Sequence, residues 1–478
     1  MGFDFALRKL VFVDGTTLPL STDAIVAIVG PNNAGKSTVL RDVIKLVSRR
    51  GDSKVLQSVE LETAASAEDV VAWLQSTAFH SGAGNRKTFK SYDVKVDADQ
   101  APSNFQYIIG ELPEKSYLDA GQMPEMLCLW LKAEKRLAAA TSTTAPKDRH
   151  SPPENPIQHV YKNDKSLSQV NAVLRQAFGA ELVLDYRGGA QINVHWGQTP
   201  QLLDSEERLS DGYLERVRAL PLLEDQGDGV RSFVGVVLHV LLSPHPIVLV
   251  DEPEAFLHPP QARQLGRFLA QRRRYGQQVF VATHSADVLH GLLDVDSAKV
   301  SVVRLQRVEA GSRVSLLDTQ TIRDIWQDPI LRHSNVLQSI FHGQTIVCES
   351  ESDCWFYSSM VEDGTQSADF FFCHSGGKAA LYKVARPLRR MGIALSIIAD
   401  FDLINNEDTL SRLVSALGGK WDSMKVEWKR IASDIQSSTS APPTIDAVKE
   451  CITAAIARSK PDSIYLTKQL ADQISGCA

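Results

Sequence analysis

The 478-residue sequence predicts an α/β protein of two or more domains, because one hydrophobic core rarely serves so long a chain. Near the start, the apolar run 24–29 leads into a glycine loop and then into a segment with helical spacing up to Val47. Two later apolar runs, 344–348 and 393–399, each end in a carboxylate. Strands that pass through a short loop into a helix are typical of parallel α/β units.

Composition and charge are those of an ordinary soluble globular protein. The net charge is −6, so contact with nucleic acid would require a local basic face. The six cysteines show neither C-x-x-C pairs nor zinc spacing, which favours reduced thiols. No signal-peptide pattern opens the chain, and prolines and histidines interrupt the longest apolar run, 233–250. We therefore expect a cytoplasmic protein without a membrane span.

The first glycine loop matches the phosphate-loop pattern G-x-x-x-x-G-K-[ST]. Its glycines let backbone N–H groups point at a phosphate, and the helix that follows adds its positive end. Lys36 is expected to reach the β- and γ-phosphates of ATP, and Ser37 to ligate Mg²⁺. The predicted nucleotide-binding residues of this loop are Gly30, Asn33, Gly35, Lys36, Ser37 and Thr38.

An apolar strand predicted over 247–250 ends in two acids, the Walker B arrangement. Asp251 is expected to hold the Mg²⁺ shell, and Glu252 to orient and deprotonate the attacking water. Because this strand lies far from Lys36 in sequence, a large insertion must separate the two halves of the site. We assign residues 1–330 to the ATPase domain and about 120–220 to an inserted helical region that could mediate dimerisation.

Two further motifs flank the Asp251 strand. The turn DQGDGVRSF, 225–233, opens a helix before it, and a strand over 278–282 ends in Thr-His-Ser after it. This order resembles an ABC-type ATPase head of the SMC-like kind. The resemblance implies a catalytic, γ-phosphate-sensing role for His284 and contact with a partner subunit's nucleotide for Gly227, Gly229 and Ser232. The segment LSDGY, 209–213, is a competing glycine turn, less favoured because it lies farther from the Asp251 strand.

The carboxylates at the later strand ends predict a metal site. Glu349 follows the strand 344–348, Asp400 and Asp402 follow the strand 393–399, and Asp353 begins a helix. Carboxyl ends of parallel strands meet at one edge, so these acids can share Mg²⁺ or Mn²⁺. The pattern resembles a Toprim domain, which we place at 331–478 with a carboxy-terminal extension. That resemblance makes Glu349 a catalytic base or ligand. The first motif departs from the family pattern, with Ser350 in place of Gly and Asp353 in place of Glu.

The segments EPEAFLHPPQ, VATHS and SIFHGQTIVCE together resemble the overcoming-lysogenization-defect (OLD) family. The resemblance implies an ABC-type ATPase joined to a Toprim DNA endonuclease, acting in anti-phage defence as at least a dimer and alone or beside a second defence protein. An alternative is an ATPase sensor or scaffold whose degenerate Toprim domain controls a separate toxin or nuclease. A DNA-repair ATPase of the recombination-mediator type is disfavoured, because such proteins normally lack the Asp-x-Asp segment.

Cutting DNA would also require cations near the carboxylates. Candidate DNA-binding residues lie on the segment between the last two strands, where solvated helix charges are an equally good interpretation: Lys378, Lys383, Arg386, Arg389 and Arg390. The insertion and the last 70 or so residues carry no recognisable motif.

Overall fold

The computed structural model describes residues 3–81, 87–91, 94–112, 119–146, 152–271, 276–295, 298–308, 311–328, 331, 335–362, 370–438, 449–450 and 453. The strands of the amino-terminal unit are, in chain order, β1 (Ala6–Phe12), β2 (Thr17–Pro19), β3 (Ile25–Val29), β4 (Leu56–Glu62), β5 (Phe79–Ser81), β6 (Thr88–Ser91), β7 (Val94–Asp97), β8 (Cys128–Leu131), β9 (Thr143–Thr144), β10 (Glu181–Leu184), β11 (Gln191–Ile192), β12 (Val194–Gly197), β13 (Ile247–Asp251), β14 (Gln278–Ala282), β15 (Val300–Val308) and β16 (Gly311–Leu317).

The helices of this unit are α1 (Lys36–Val47), α2 (Ala67–Thr77), α3 (Ala101–Ile109), α4 (Met123–Leu127), α5 (Ala133–Ala139), α6 (Pro156–Lys162), α7 (Asp164–Phe178), α8 (Asp211–Arg218), α9 (Asp228–Leu242), α10 (Pro259–Gln271), α11 (Ala286–Leu293) and α12 (Thr319–Gln327). The carboxy-terminal unit contains β17 (Gln344–Cys348), α13 (Glu351–Glu362), β18 (Phe370–His374), α14 (Leu381–Arg390), β19 (Ala394–Ile398), α15 (Glu407–Ala416) and α16 (Trp421–Ser438). None of the helices in these described ranges is long and apolar enough to span a bilayer.

A six-stranded sheet forms the centre of the amino-terminal unit, in the order β16-β15-β3-β14-β13-β8. Its neighbours pair in parallel except β16, which is antiparallel to β15. All five residues of β3 are buried, with Ile25 and Ala27 in one hydrophobic cluster and Val26 and Ile28 in the other. Because both faces are covered, the strand is a continuous apolar run without alternation.

The inserted region, which we expected to be helical, also contains strands, and the first of them lies within residues 120–145. There, α4 and α5 are separated by β8, which pairs in parallel with β13 and forms the edge of the central sheet. The insertion also contains the antiparallel pair β10–β12, which packs beside α7. Pairing with a distant strand decided the conformation of β8, and this information is absent from local periodicity.

The carboxy-terminal unit is built on a three-stranded parallel sheet in the order β18-β17-β19. Helices α13 and α14 make the crossovers between its strands. The same hydrophobic cluster that includes Val29 of β3 also includes Val347 of β17 and Leu381 of α14. The two units therefore share a continuous core around the predicted boundary at 330.

Candidate functional sites

The glycine loop after β3 has the backbone that a phosphate loop requires. Gly30, Asn33 and Gly35 all have positive φ, at 140°, 61° and 100°. A Cβ on Gly30 would lie 2.2 Å from the carbonyl oxygen of Leu305, so only glycine fits against β15 there. Gly35 caps α1, and the first turn of that helix contains no acidic residue that would repel a phosphate.

Lys36 and Ser37 lie at the first turn of α1, where the sequence placed them. The Lys36 ammonium donates to the carbonyl oxygens of Gly30 and Pro31, both at 2.9 Å. The Ser37 hydroxyl donates to Asp251 Oδ1 at 2.8 Å. The half-buried Thr38 follows on the same turn. Folding therefore brings the phosphate loop and the end of β13 into direct contact, as the motif order predicts.

Charges are partly buried at this contact. Burial raises the pKa of Asp251, and the hydrogen bond from Ser37 only partly opposes the rise. Burial lowers the pKa of Lys36, opposed by the negative charges of Glu252, Glu254 and Asp251. A hydroxyl and a carboxylate in contact at the edge of the loop are the oxygen donors that Mg²⁺ prefers. The residues present thus fit a Mg–nucleotide complex.

Glu252 and His284 follow adjacent parallel strands. His284 is nearer to Glu254, a residue that the sequence analysis did not select. His284 Nδ1 lies 3.8 Å from Glu252 Oε1 but 3.1 Å from Glu254 Oε1. The backbone N–H of His284 also donates to Glu254 Oε1, at 2.8 Å. Burial raises the pKa of Glu254, and the contacts with His284 oppose the rise. The sequence does contain a signal for Glu254, because it is the second acid of Glu-Pro-Glu and the next strand along the chain ends in Thr-His-Ser.

The glycine turn before α9 is partly as expected. Gly227 is exposed and caps the helix, while a Cβ on Gly229 would lie 2.5 Å from the Phe256 carbonyl oxygen. Ser232 corrects the prediction: it is fully buried, and its hydroxyl accepts a hydrogen bond from Arg136 Nε at 3.0 Å. Its hydroxyl therefore faces the interior and not another subunit. The competing LSDGY turn begins α8, where Ser210 is the cap.

Three carboxylates of the carboxy-terminal unit converge at one edge of its sheet. One oxygen each of Glu349, Asp400 and Asp402 lies within 4.8 Å of the others. Glu349 follows β17 and the two aspartates follow β19, the parallel neighbour of β17. Glu349 Oε2 is buried and lacks a hydrogen-bond partner among the described residues. The topology brings these acids together as the strand ends predict.

Asp353 does not belong to this cluster, contrary to the prediction. Its Oδ2 accepts hydrogen bonds from the backbone N–H of Ser350 at 2.9 Å and from the Ser350 hydroxyl at 2.8 Å. The Ser350 hydroxyl in turn accepts from the backbone N–H of Asp353 at 3.3 Å. The two residues therefore cap the start of α13 reciprocally. The departures from the family motif at these positions build a helix cap.

The basic residues divide into two groups. The Lys378 ammonium forms an ion pair with Asp402 and lies at the carboxylate cluster. Lys383, Arg386, Arg389 and Arg390 are exposed on α14. This crossover helix runs away from the carboxyl edge and is about 15 Å long, so its last residues, Arg389 and Arg390, lie at the opposite end of the sheet. The structure therefore does not bring that pair to the carboxylates.

Comparison with known proteins gives partial matches. Residues 148–289 match the family model described as "AAA domain, putative AbiEii toxin, Type IV TA system". A 167-residue stretch is 23% identical to the Old nuclease of Escherichia phage P2, covering 34% of this chain and 28% of that protein. A 60-residue stretch is 38% identical to the manganese transport system ATP-binding protein MntB of Listeria innocua serovar 6a, covering 13% of this chain and 25% of the relative. The matched stretches thus span less than a third of either relative.

Solved structures that align with this chain at low similarity include SMC heads. The SMC head domain from Thermotoga maritima is 12% identical, with a TM-score of 0.32, and the alignment covers 65% of this chain and 99% of that one. An Smc head domain bound to the C-terminal domain of ScpA, derived from Pyrococcus furiosus, is 8% identical, with a TM-score of 0.35, and the alignment covers 68% of this chain and 99% of that one. The family model and the ATP-binding relative, taken with the phosphate loop, identify an ATPase of the AAA/ABC type.

Proposed function

We propose that this ATPase controls a metal-dependent DNA endonuclease at the cluster formed by Glu349, Asp400 and Asp402, and that it acts in anti-phage defence as OLD-type proteins do. The observation that carries the proposal is the convergence of these three carboxylates within 4.8 Å at the carboxyl edge of a parallel sheet. The stretch similar to a phage nuclease supports it. The same cluster is what the Toprim resemblance predicts.

The residues of the cluster fit one or two divalent cations. The donor set is entirely carboxylate oxygen, which suits Mg²⁺ or Mn²⁺. Glu349 Oε2 is buried without a hydrogen-bond partner in the described part of the chain, so it has an unmet requirement for a cation or a proton. A bound cation would supply a water of lowered pKa and would stabilise negative charge on a phosphodiester.

The chain's own residues would share the remaining work. Glu349 would accept the proton of the attacking water. Lys378 would bind the phosphate of the substrate, which is supported by the ion pair that its ammonium forms with Asp402 at the cluster. Lys383 and Arg386, exposed on α14, would contact flanking phosphates.

ATP would bind between two heads, with each phosphate loop facing the Gly227 turn of the other subunit. Gly227 is exposed at the first turn of α9, where N–H groups can meet the γ-phosphate of another subunit. We therefore propose a homodimer or a higher oligomer. Glu252, positioned near His284 and Glu254, would activate the water.

One observation favours the alternative of a sensor or scaffold with an inactive second unit. The Lys378 ammonium already neutralises Asp402 and so competes with a cation for that carboxylate. In this alternative the ATPase head remains active and the carboxy-terminal unit binds a separate toxin or nuclease.

Plasmid cleavage with Mg²⁺ or Mn²⁺, with and without ATP, separates the two functions. Wild type should cut, Glu349→Ala should not, and Glu351→Ala should cut like wild type because this exposed acid lies outside the cluster. Lys36→Ala in the same assay reports whether bound ATP raises or lowers cutting. If wild type fails to cut while it hydrolyses ATP, the nuclease proposal is wrong and the scaffold alternative gains support.

A further inference from the structure

Arg136 is a fully buried arginine beside the acids of β13. It lies on α5, and its two terminal nitrogens are directed to the main chain. One terminal nitrogen donates to the carbonyl oxygens of Leu131 at 3.2 Å and Asp251 at 2.5 Å, and the other donates to that of Glu252 at 3.0 Å. A planar guanidinium with several fixed donors can hold such a set of carbonyl oxygens in one geometry, which an ammonium cannot do.

The backbone held in this way is an unusual one. Glu252 has φ of +46°, in the left-handed region that residues other than glycine rarely adopt. Such a conformation persists only where surrounding contacts determine it. Here the Glu252 N–H donates to Ala282 on β14, and the Glu252 carbonyl accepts from Arg136. The Glu252 carbonyl also accepts from the Ala255 N–H at 3.0 Å, so Arg136 is one of the contacts that fix the direction of the Glu252 side chain.

Arg136 also contacts the helix that begins with the glycine turn. Its Nε donates to the Ser232 hydroxyl, one turn into α9. Next to this bond, α5 and α9 approach closely because Gly235 lacks a side chain, and a Cβ there would lie 2.1 Å from the Arg136 carbonyl oxygen. A displacement of α9 is therefore transmitted to Arg136.

We propose that Arg136 is a positioning residue that couples the glycine turn of α9 to the direction of the Glu252 side chain. The inference rests on the proposed function in one respect, the binding of a second subunit's nucleotide at that turn. Nucleotide contact at Gly227 shifts α9, the Ser232 hydroxyl carries the shift to the guanidinium, and the guanidinium sets the main chain of Glu252. Hydrolysis in one site then depends on engagement of the glycine turn.

Steady-state ATPase kinetics and Mg–ATP binding of the full chain test this coupling. Arg136→Gln should lower kcat by about 100-fold, the loss that a misplacement of roughly 1 Å can cause, and should leave the Kd for Mg–ATP unchanged. Arg136→Lys should not restore kcat, because it keeps the charge without the fork. An equal loss of ATP affinity, or full activity in Arg136→Lys, would overturn the proposal.

Ser232→Ala separates coupling from folding, because it removes only the contact between Arg136 and α9. Ser232→Ala should lower kcat, but by a smaller factor than Arg136→Gln does. The control is Ser339→Ala, which changes an equally buried serine and should leave kcat unchanged. In a Glu252→Gln background, Arg136→Gln should cause no further loss, since both changes act on one residue. Multiplicative losses in the double variant would contradict the proposal. Because only ATP hydrolysis is measured, absence of DNA cleavage would leave this result intact.

Discussion

At the residue scale, the candidate ATPase site consists of side chains that lie at or just beyond the ends of neighbouring strands. Asp251 is the last residue of β13, Glu252 follows it, and His284 lies just beyond the parallel neighbour β14; Ser37 contacts Asp251 from the start of α1. The buried Glu254 holds His284 through both a backbone and a side-chain contact. Burial therefore disfavours the ionised forms of Asp251 and Glu254, and their hydrogen bonds and ion pairs favour the ionised forms.

Burial of Asp251 makes a pH-dependent prediction. The pKa of Asp251 is higher in the folded protein than in the unfolded chain. Its contribution to the free energy of unfolding is therefore fully present below its ordinary pKa of 3.8 and is lost as the pH rises through the folded-state pKa. Asparagine cannot ionise, so Asp251→Asn avoids the free-energy cost of a buried carboxylate in the folded protein. Its Tm should be closest to that of wild type near about pH 4, and the difference between the two should grow as the pH rises. Thermal melts across this range test it, with the exposed Asp204→Asn as control; a difference that shrinks with pH would contradict it.

Replacement of Glu252 should separate nucleotide binding from hydrolysis. Glu252→Gln keeps the size of the side chain but cannot accept a proton, so we expect kcat to fall by about 10²- to 10⁴-fold while Mg–ATP remains bound. Single-turnover hydrolysis and retention of bound nucleotide measure the two effects. Lys36→Ala is the contrasting variant and should lose ATP binding. Normal turnover in Glu252→Gln would disprove its assignment as the base.

At the element scale, close helix packing depends on glycines that the motif analysis did not select. Helices α10 and α11 contact each other at Gly266 and Gly291. A Cβ on Gly266 would lie 2.3 Å from the Val288 carbonyl oxygen, and one on Gly291 would lie 2.1 Å from that of Arg263. These helices follow β13 and β14, so their spacing supports the strands that position Glu252 and His284.

Gly291→Ala should destabilise the protein by about 1–3 kcal/mol, because the added methyl group must push α11 away from α10. The matched control is Gly212→Ala, at an exposed position of α8 where only the far ends of the Glu206 and Arg216 side chains lie near the added Cβ. The control should be neutral or more stable by up to about 1 kcal/mol. Urea midpoints of the two variants measure the difference, and equal midpoints would show that the packing is not tight.

At the scale of the whole molecule, β15 joins the phosphate loop to the carboxy-terminal unit. The Leu305 carbonyl oxygen faces Gly30, and the neighbouring Arg304 is almost fully buried. Its guanidinium donates to the carbonyl oxygens of Ile340 at 3.0 Å and His342 at 2.7 Å, just before β17. One strand therefore contacts both the nucleotide loop and the segment that leads to Glu349.

Arg304→Met should loosen this connection. The variant removes the charged hydrogen-bond donors to the carbonyl oxygens of Ile340 and His342. Loss of such charged hydrogen bonds should lower the free energy of unfolding by about 3 kcal/mol. We expect a lower Tm and faster proteolysis between residues 317 and 344. The exposed Arg386→Met is the control, since it lies on α14 away from this contact. Unchanged proteolysis in Arg304→Met would show that the two units are held together elsewhere.

The sequence by itself determined where most residues of the two candidate sites lie. The phosphate loop, Asp251, His284, Glu349 and the Asp400-Phe401-Asp402 segment could be predicted because each is a short motif at a strand end, and parallel strands bring such ends together. The tertiary structure alone decided which side chains meet across the fold. In the folded protein, residues 128–131 form the strand β8, and Ser232 is buried. Asp353 caps a helix, and Glu254 and Arg136 lie beside the other residues of the candidate ATPase site. These outcomes depend on contacts between residues far apart in the chain, which a local pattern does not contain.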